Sequence, residues 1–408
     1  MLRLLSPVGQ GLTPVGLQLA RATAASTFLS SPNRHLSTSP PPGGPESTGL
    51  DSTNDPKTLQ RGVNHLRESL RTGDYEAFLA THFFPAPAST QIAWMAIRCL
   101  SLEASHISSA ATDPRLAEIR YAYWREVIGA IYARAPSKDT DPANIPGGGI
   151  SAQQHPIAVT LRAFHRSVRP LSRRWLARLV DERSKRHAAG HRAFGSLDEL
   201  ERFGENTSGT VLSLCLQAAG LGAGGTEETG SLAEHAASHV GQAAAIVNVI
   251  RAMRIDKAQG RLLLPVDLVM KHNLREEAIL RLAPGAKTPT ELCDAVFELA
   301  TRANDHLITA RTMVYGSSNA AAAGNPSAGK TFGRRMFGLL PGAHLPSDSV
   351  AVLAGVAIPL QHYLDTLALP AVQFDPFCDR ASVIPSAKHP SVPLLLKLAK
   401  HRWLKTQF

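Results

Sequence analysis

Residues 324–331 have the composition of a phosphate-binding loop. They read Gly-Asn-Pro-Ser-Ala-Gly-Lys-Thr and fit the pattern GxxxxGK(S/T) at every position. In a working loop of this kind a buried strand leads in and a helix follows, so that backbone N–H groups point at the phosphates. Here residues 317–323 contain only Ser, Asn and Ala, and Phe-Gly-Arg-Arg follows. Because the sequence indicates neither flanking element, we do not predict a nucleotide site.

Two histidines, His235 and His239, have the spacing at which imidazoles on one helix face can share a metal ion. The nearest further ligand is Glu234, which points to a different face of the same helix. We therefore predict that these histidines pack or form hydrogen bonds, and we predict no metal site.

The net charge of the chain is +10, and its distribution bears on the choice of partner. Residues 1–45 contribute +3, residues 316–348 contribute +2 and residues 387–408 contribute +5. The rest of the chain carries equal numbers of basic and acidic side chains. Since a nucleic-acid binder needs a concentrated basic surface, we predict that nucleic acid is not a partner.

One stretch of the neutral part is locally basic. Ten lysines and arginines lie from Arg162 to Arg192, and Asp181 and Glu182 are the acids among them. Such a run is typical of a solvated helix face, but it also fits a contact with an acidic partner or a phospholipid. The sequence leaves both interpretations open.

The N-terminal segment is typical of an import signal. It contains Arg3, Arg21 and Arg34, is rich in Ser, Thr and Leu, and has no acid before Glu46. These features indicate a mitochondrial presequence. We assign residues 1–54 to a presequence and a disordered linker, and predict a mitochondrial location.

The remainder of the chain shows apolar residues at helical spacing and few alternating patterns, which favours an all-α bundle. Asp74 and Ser196 are predicted to begin helices as N-caps. Residues 115–134 place an apolar stripe on one helix face, formed by Leu116, Ile119, Tyr123, Val127 and Ile131. Residues 137–151 and 316–348, rich in Pro, Gly, Ala and Ser, are predicted to be flexible insertions. The domain is therefore expected to span residues 55–408.

Three stretches of the sequence resemble the squalene/phytoene synthase family. They are residues 74–103, the run Tyr123-Trp124-Arg125 followed by His155-Pro156, and Asn248-Val-Ile-Arg251 followed by residues 260–265. The last is similar to the family's "NILRD…GR…LP" pattern in both residue type and spacing. The resemblance implies the all-α class I isoprenoid synthase bundle.

That resemblance also implies a chemistry that depends on paired aspartates. In the family, two aspartate-rich helix faces hold magnesium ions that bind a diphosphate and assist its departure. At the first position this sequence reads Ser-His-Ile-Ser-Ser, residues 105–109, and at the second only Asp256 remains. One carboxylate is too few for such a metal cluster. We therefore predict no catalytic residue and no cofactor, with Mg²⁺ required only if the chain is an active synthase.

Further stretches resemble a mitochondrial branch of the family that lacks catalysis. They include residues 181–183, 205–207, 235–241 and 402–405. The branch implies attachment to the matrix side of the inner membrane and a role in complex I assembly, with complex I subunits or other assembly factors as partners. Two alternatives remain: an active prenyl or terpenoid transferase that uses isoprenoid diphosphates, and a lipid carrier.

The resemblance also supplies candidates for a residual pocket or phosphate-binding site. They are Arg98, Tyr123, Asn206, His239, Asn248, Arg251 and Asp256. Arg251 is expected either to pair with Asp256 one helical turn away or to bind a phosphate or lipid headgroup. Asn206, with Glu205, is expected either to cap or bridge helices or to contact a ligand.

The C-terminus predicts a cationic amphipathic helix with a tryptophan. Candidates for contact with a peripheral membrane surface are Lys397, Lys400, Trp403 and Lys405, since such helices lie at anionic lipid surfaces. The same pattern is also typical of the last packed helix of a bundle. Both roles fit one helix, because its polar face stays free.

Overall fold

The computed structural model describes residues 56–83, 86–110, 113–133, 150–190, 192–221, 227–283, 285–316, 345, 347–379 and 391–404. These residues form helices and no strand, as the sequence predicts. Residues 1–54, most of the two expected insertions, the glycine-rich segment 324–331 and Lys405 lie outside them.

The described helices run in chain order as follows. They are α1 (Pro56–Gly73), α2 (Tyr75–Phe83), α3 (Ala88–Ala110), α4 (Pro114–Tyr132), α5 (Ile150–Gln154), α6 (Pro156–Ser167), α7 (Arg173–Ala188), α8 (Leu197–Gly204), a π-helical turn (Glu205–Gly209), α9 (Thr210–Ala219), α10 (Glu227–Ala258), α11 (Val266–Lys271), α12 (Glu276–Leu280), α13 (Thr290–Tyr315), α14 (Ser347–Leu367) and α15 (Val392–Leu404).

The two expected insertions end earlier than the sequence predicts. Helix α5 begins at Ile150 and α14 begins at Ser347, so each predicted insertion includes two residues that are helical.

Helix α10 is the central element of the second half of the bundle. It packs against α13, α8, the π-helical turn, α14 and α9. Helix α3 has the same role in the first half, against α6, α1 and α7, and α9 joins the halves by touching both α3 and α10. The indole N–H of Trp94 in α3 donates to the carbonyl of Cys215 in α9 at 3.0 Å. Local capping sets several helix starts, including Asp74 before α2 and Ser196 before α8, as predicted.

The predicted apolar stripe of α4 is wrong in its first two turns. Leu116 and Ile119 are 42% and 66% exposed, whereas Val127 and Ile131 are buried. The buried face is formed by Ala117, Tyr121, Trp124, Val127, Ile128 and Ile131. The helix is apolar on two sides, and burying its tyrosine and tryptophan removes more surface from water than burying Leu116 and Ile119 would.

One described helix, Asp348–Leu367, is long and apolar enough to cross a membrane by length and composition. Its mean hydropathy reaches 1.3, but 67% of that stretch is buried by the bundle. The burial indicates a core helix.

Candidate functional site

The predicted phosphate ligand Arg251 is already paired with a carboxylate. Its Nη1 and Nη2 donate to Glu76 of α2 at 2.8 Å and 3.1 Å, which makes a bidentate ion pair between α10 and α2. The side chains of Arg251 and Glu76 are only 11% and 15% exposed. The guanidinium also lies 4.6 Å from the centre of the Tyr363 ring in α14. The expected pairing of Arg251 with Asp256 is therefore wrong, because a carboxylate from a distant helix occupies its donors.

Asp256 pairs with a different arginine at the end of α10. Its Oδ1 accepts from Nη2 of Arg261 at 3.0 Å, and the carboxylate is almost fully buried. Burial raises the pKa of Asp256, and the charge and hydrogen bond of Arg261 oppose that rise. Asp256 is thus held in a turn that closes the helix.

Arg98 lies beside a very small cavity. The cavity lies between α2, α3, α9 and α14, is bordered also by Thr81, Trp94 and Cys215, and has a volume of about 10 Å³. That is about the space that a single water molecule needs, roughly 10–15 Å³. Nη1 of Arg98 is 4.0 Å from Oδ2 of Asp74, so this cation also has a carboxylate neighbour. This space is too small for an isoprenoid chain.

His239 belongs to a buried hydrogen-bond network that links α8, α10 and α13. Its Nδ1 lies 2.9 Å from Nδ1 of His306, whose Nε2 lies 3.1 Å from Oε1 of Glu201. Arg302 donates to both oxygens of Glu201, at 2.6 Å and 3.1 Å. Nε2–H of His306 donates to the carboxylate, and the Nδ1 atoms of the two histidines share one hydrogen bond. The prediction of hydrogen-bonded histidines is thereby confirmed for His239.

The network sets the charge of its members. Burial on its own raises the pKa of Glu201, but the hydrogen bonds from His306 and Arg302 outweigh it and lower that pKa to about 2. Burial lowers the pKa of His239 to about 4, and the neighbouring histidines add to the effect. At neutral pH the site therefore holds a carboxylate, a guanidinium and a neutral His239.

These pKa values predict a loss of stability on mild acidification. Between pH 6.5 and about 4 the unfolded chain protonates residue 239 and the folded chain does not, so stability falls as pH falls. His155, whose pKa burial also lowers to about 4, acts in the same direction. We expect a lower Tm at pH 5 than at pH 7.5 and a shallower dependence in His239→Gln, measured by thermal denaturation at several pH values. Equal slopes in the two proteins would contradict this assignment.

The other pocket candidates lie apart from these sites. The Tyr123 ring packs edge-on against His155, with centroids 6.2 Å apart, at the contact of α4 with α6. Asn248 is exposed on α10. Asn206 is half-buried in the π-helical turn, where its carbonyl accepts from the Thr210 hydroxyl at 2.9 Å. A role in ligand binding for these three residues stays a prediction.

The described residues include no group of three or more His, Cys, Asp or Glu side chains that could hold a metal ion. At the first position expected for a metal-binding motif, Ser105 and His106 are exposed and neither is a carboxylate. At the second, the carboxylate of Asp256 is paired with Arg261. This donor set does not fit a magnesium–diphosphate cluster, which requires carboxylates on two facing helices.

Helix α15 combines a buried face with an exposed apolar and cationic face. Leu394 and Leu398 are fully buried, whereas Leu396 and Trp403 are 64% and 71% exposed. Lys400 is exposed between them. The packed-helix and surface interpretations thus both fit α15.

Two cations of α15 have partners in the bundle. Lys397 pairs with Asp365 of α14. Arg402 donates to the carbonyl of Phe83 at 2.7 Å. Of the four predicted membrane contacts, Lys400 and Trp403 are therefore exposed, and Lys397 is occupied by Asp365.

The fold and this site define an all-α bundle of the isoprenoid synthase type in which, of the carboxylates expected to bind a diphosphate, only Asp256 remains. The family model for squalene/phytoene synthase matches residues 70–324, so the chain belongs to that family. A solved dehydrosqualene synthase, crystallised with a ligand, covers 86% of this chain and 98% of its own at a TM-score of 0.55 and 15% identity. At that identity the likeness concerns the fold alone.

Curated relatives bear the name "NADH dehydrogenase (ubiquinone) complex I, assembly factor 6". The mouse protein is 28% identical over 246 residues, which are 60% of this chain and 64% of the relative. The human protein is 28% identical over 253 residues, 62% of this chain and 66% of its own. A Drosophila melanogaster homolog is 28% identical over 255 residues, 62% of this chain and 68% of its own. The match spans slightly less than two thirds of the mammalian relatives.

Proposed function

We propose that the protein is a mitochondrial complex I assembly factor, built on a synthase fold and acting by binding partners rather than by catalysis. Its similarity to the assembly factor 6 proteins of mouse, human and fly supports this role. The expected import signal in residues 1–54 agrees with the location that those names imply.

The ion pair between Arg251 and Glu76 carries the non-catalytic part of the proposal. A synthase arginine must be free to meet a substrate phosphate, and here a buried carboxylate takes two of its donors. A diphosphate would have to displace Glu76 and leave that carboxylate buried without a cation, which is strongly unfavourable. The ion pair therefore serves to join α10 to α2.

Deletion of the gene tests the role in assembly. We expect mitochondria without the protein to show reduced complex I on native gels, and expression of either the wild type or Asp256→Asn to restore it. The Asp256 variant is the informative one, because a metal-dependent transferase needs this carboxylate. Normal complex I in the deletion strain would contradict the proposal.

A direct assay separates the assembly factor from an active transferase. Purified protein is incubated with isoprenoid diphosphates and Mg²⁺, and diphosphate release is measured. We expect no release above the buffer rate. Turnover that disappears in Asp256→Asn would establish the transferase instead.

The finer location that we propose is the matrix surface of the inner membrane, with α15 as the contact. Its exposed face carries three large apolar side chains, Val392, Leu396 and Trp403, together with Lys400, and such a face suits the headgroup region of anionic bilayers. Trp403 adds the aromatic ring that is frequent at membrane interfaces.

Vesicle co-sedimentation tests this contact. We expect the wild type to sediment with phosphatidylcholine vesicles that contain cardiolipin, and Leu396→Ser/Trp403→Ser to bind about tenfold less, because two of the three exposed apolar side chains are lost. The control is Met270→Ser, which removes a 75% exposed apolar side chain far along the chain from α15. Equal sedimentation of the double variant and the wild type would rule out α15 as the contact.

A further inference from the structure

Within the part of the chain that the structure describes, no carboxylate pairs with the arginines of the basic stretch. Nine arginines lie between residues 162 and 192. Among the described residues, none of the nine has a carboxylate within the 4.0 Å of a salt bridge. The two acids of the stretch are used elsewhere: Asp181 accepts from Arg125 of α4, and Glu182 pairs with Lys185.

Main-chain carbonyls hold several of these arginines in place. Arg162 is buried and donates to the carbonyls of Ala130 and Gln153, near the ends of α4 and α5. Arg169 donates to the carbonyl of Ala218 near the end of α9, at 3.3 Å. Each such bond orients a guanidinium and leaves most of its five N–H donors and its full charge unused. Arg162 is structural, and the exposed members remain available.

The available arginines cluster where α6 turns into α7. Arg166, Arg173 and Arg174 are exposed, and Arg169 and Arg178 are half-buried. We call these five residues the arginine face. Arg174 and Arg178 are one helical turn apart and lie on the same side of α7.

The positive charge at the start of α7 is electrostatically unfavourable when no partner is bound. Arg173 and Arg174 occupy the first turn of α7, which contains no acidic residue. The helix dipole places positive potential at that end, so cations there repel it as well as each other. An external anion removes both repulsions, and within the described residues the protein supplies none.

We propose that the arginine face binds an acidic segment of a partner protein. Guanidinium groups recognise carboxylates through paired N–H donors, and the fixed positions of these arginines favour such recognition. This inference rests on the proposed function only in taking the partner to be a component of the assembly machinery.

The surroundings of the arginine face favour a protein partner over a lipid surface or an RNA. Residues 152–190 and 192, whose side chains the structure describes, include no exposed large apolar side chain, unlike α15, so none of them offers an apolar group to a bilayer. They also show no exposed aromatic ring on which bases could stack, since Trp175 is half-buried against the core.

Charge reversal tests the arginine face without endangering the fold. In Arg173→Glu/Arg174→Glu/Arg178→Glu, two of the three new acids stand in the first turn of α7, where the helix dipole favours them, so the Tm should change little. The control, Arg202→Glu/Arg275→Glu/Lys287→Glu, makes the same charge change at exposed residues of other elements. Both proteins are titrated with a fluorescently labelled oligoglutamate peptide at low and at physiological salt.

We expect the reversal of the face to weaken peptide binding by about tenfold or more, and the control by no more than about twofold. Binding of the wild type should weaken as salt rises. An equal loss in both triple variants, or no loss in the first, would overturn the proposal.

Two further probes identify a different partner if there is one. Binding of cardiolipin-containing vesicles should be unchanged by the reversal, because α15 makes that contact, and single-stranded RNA should bind more weakly than the peptide. Vesicle binding that depends on the face while peptide binding does not, or tighter binding of RNA, would overturn the proposal. Complex I content is scored separately: a normal content after gene deletion contradicts the proposed function and leaves the peptide result unaffected.

Discussion

Replacement of Gly241 by alanine is expected to lower the stability of the bundle by about 3 kcal/mol or more. A Cβ atom at this position would lie 2.3 Å from the backbone nitrogen and 2.5 Å from the Cα of Gly209. These are main-chain atoms of the π-helical turn, so no side-chain rotation relieves the overlap. The turn and α10 must then move apart, and the contact between them is opened.

Gly204, the last residue of α8, makes a similarly close contact with α10. A Cβ there would lie 2.7 Å from the Gly241 carbonyl oxygen and from the Ala245 Cβ. Three glycines, one each from α8, the π-helical turn and α10, thus permit one close contact. We expect Gly241→Ala to lower the Tm by about 5 °C or more, measured by circular dichroism.

Gly62→Ala is the matched control for this substitution. Gly62 also lies inside a packed helix, α1, but a Cβ there meets first the side-chain methyl of Thr160, at 3.1 Å. A threonine side chain can shift by a few tenths of an ångström, and alanine favours the helix by about 0.5–1 kcal/mol over glycine. The expected change in Tm is within a few degrees. A Gly241→Ala protein as stable as the control would show that the contact is looser than the structure has it.

The sequence predicts the helices better than the site, because helix signals are local. Asp74 and Ser196 cap helices that follow them within three residues, and such a pattern can be recognised in a short window. The sequence pattern does not distinguish the two sides of α4, because both are apolar. Only the packing decides which side is buried.

The partners of the candidate site residues lie far away in sequence. Glu76 is 175 residues from Arg251, and His306 is 67 residues from His239. The sequence contained all four residues but no signal that pairs them, since Glu201 and Arg302 also belong to separate helices. Of the two roles that the sequence suggests for Arg251, one was therefore pairing with Asp256, the nearest carboxylate along its own helix.

These pairings share a consequence for the function. Arg251 has Glu76, Arg98 has Asp74 and Asp256 has Arg261. The charged residues retained from the synthase pattern thus stabilise contacts within the bundle, and the uncompensated charge lies instead on the outer surface of α7. Within the described residues, the charged groups retained from the synthase pattern have ion-pair partners and the arginine face has none, an arrangement that suits partner binding better than chemistry on a diphosphate.

Removal of either member of the Arg251–Glu76 pair is expected to destabilise the protein by about 3–5 kcal/mol. Arg251→Met leaves the Glu76 carboxylate without its cation, and Glu76→Leu leaves the guanidinium without its carboxylate. Both groups are nearly buried, so water restores only a small part of the lost interaction. The double variant removes both charges, and its loss of stability should be smaller than the sum of the two single losses by about 1–3 kcal/mol.

Chemical denaturation of the wild type, the two single variants and the double variant measures this coupling energy. A second experiment, the Tm with and without pyrophosphate and Mg²⁺, tests whether Arg251 binds a ligand. If Arg251 binds phosphate, pyrophosphate will stabilise the folded protein, and the Tm of the wild type will rise when pyrophosphate is added. An arginine that joins α10 to α2 is already satisfied, and we expect no rise. Additive single losses together with a higher Tm in pyrophosphate would show that Arg251 remains a phosphate ligand and that Glu76 only neighbours it.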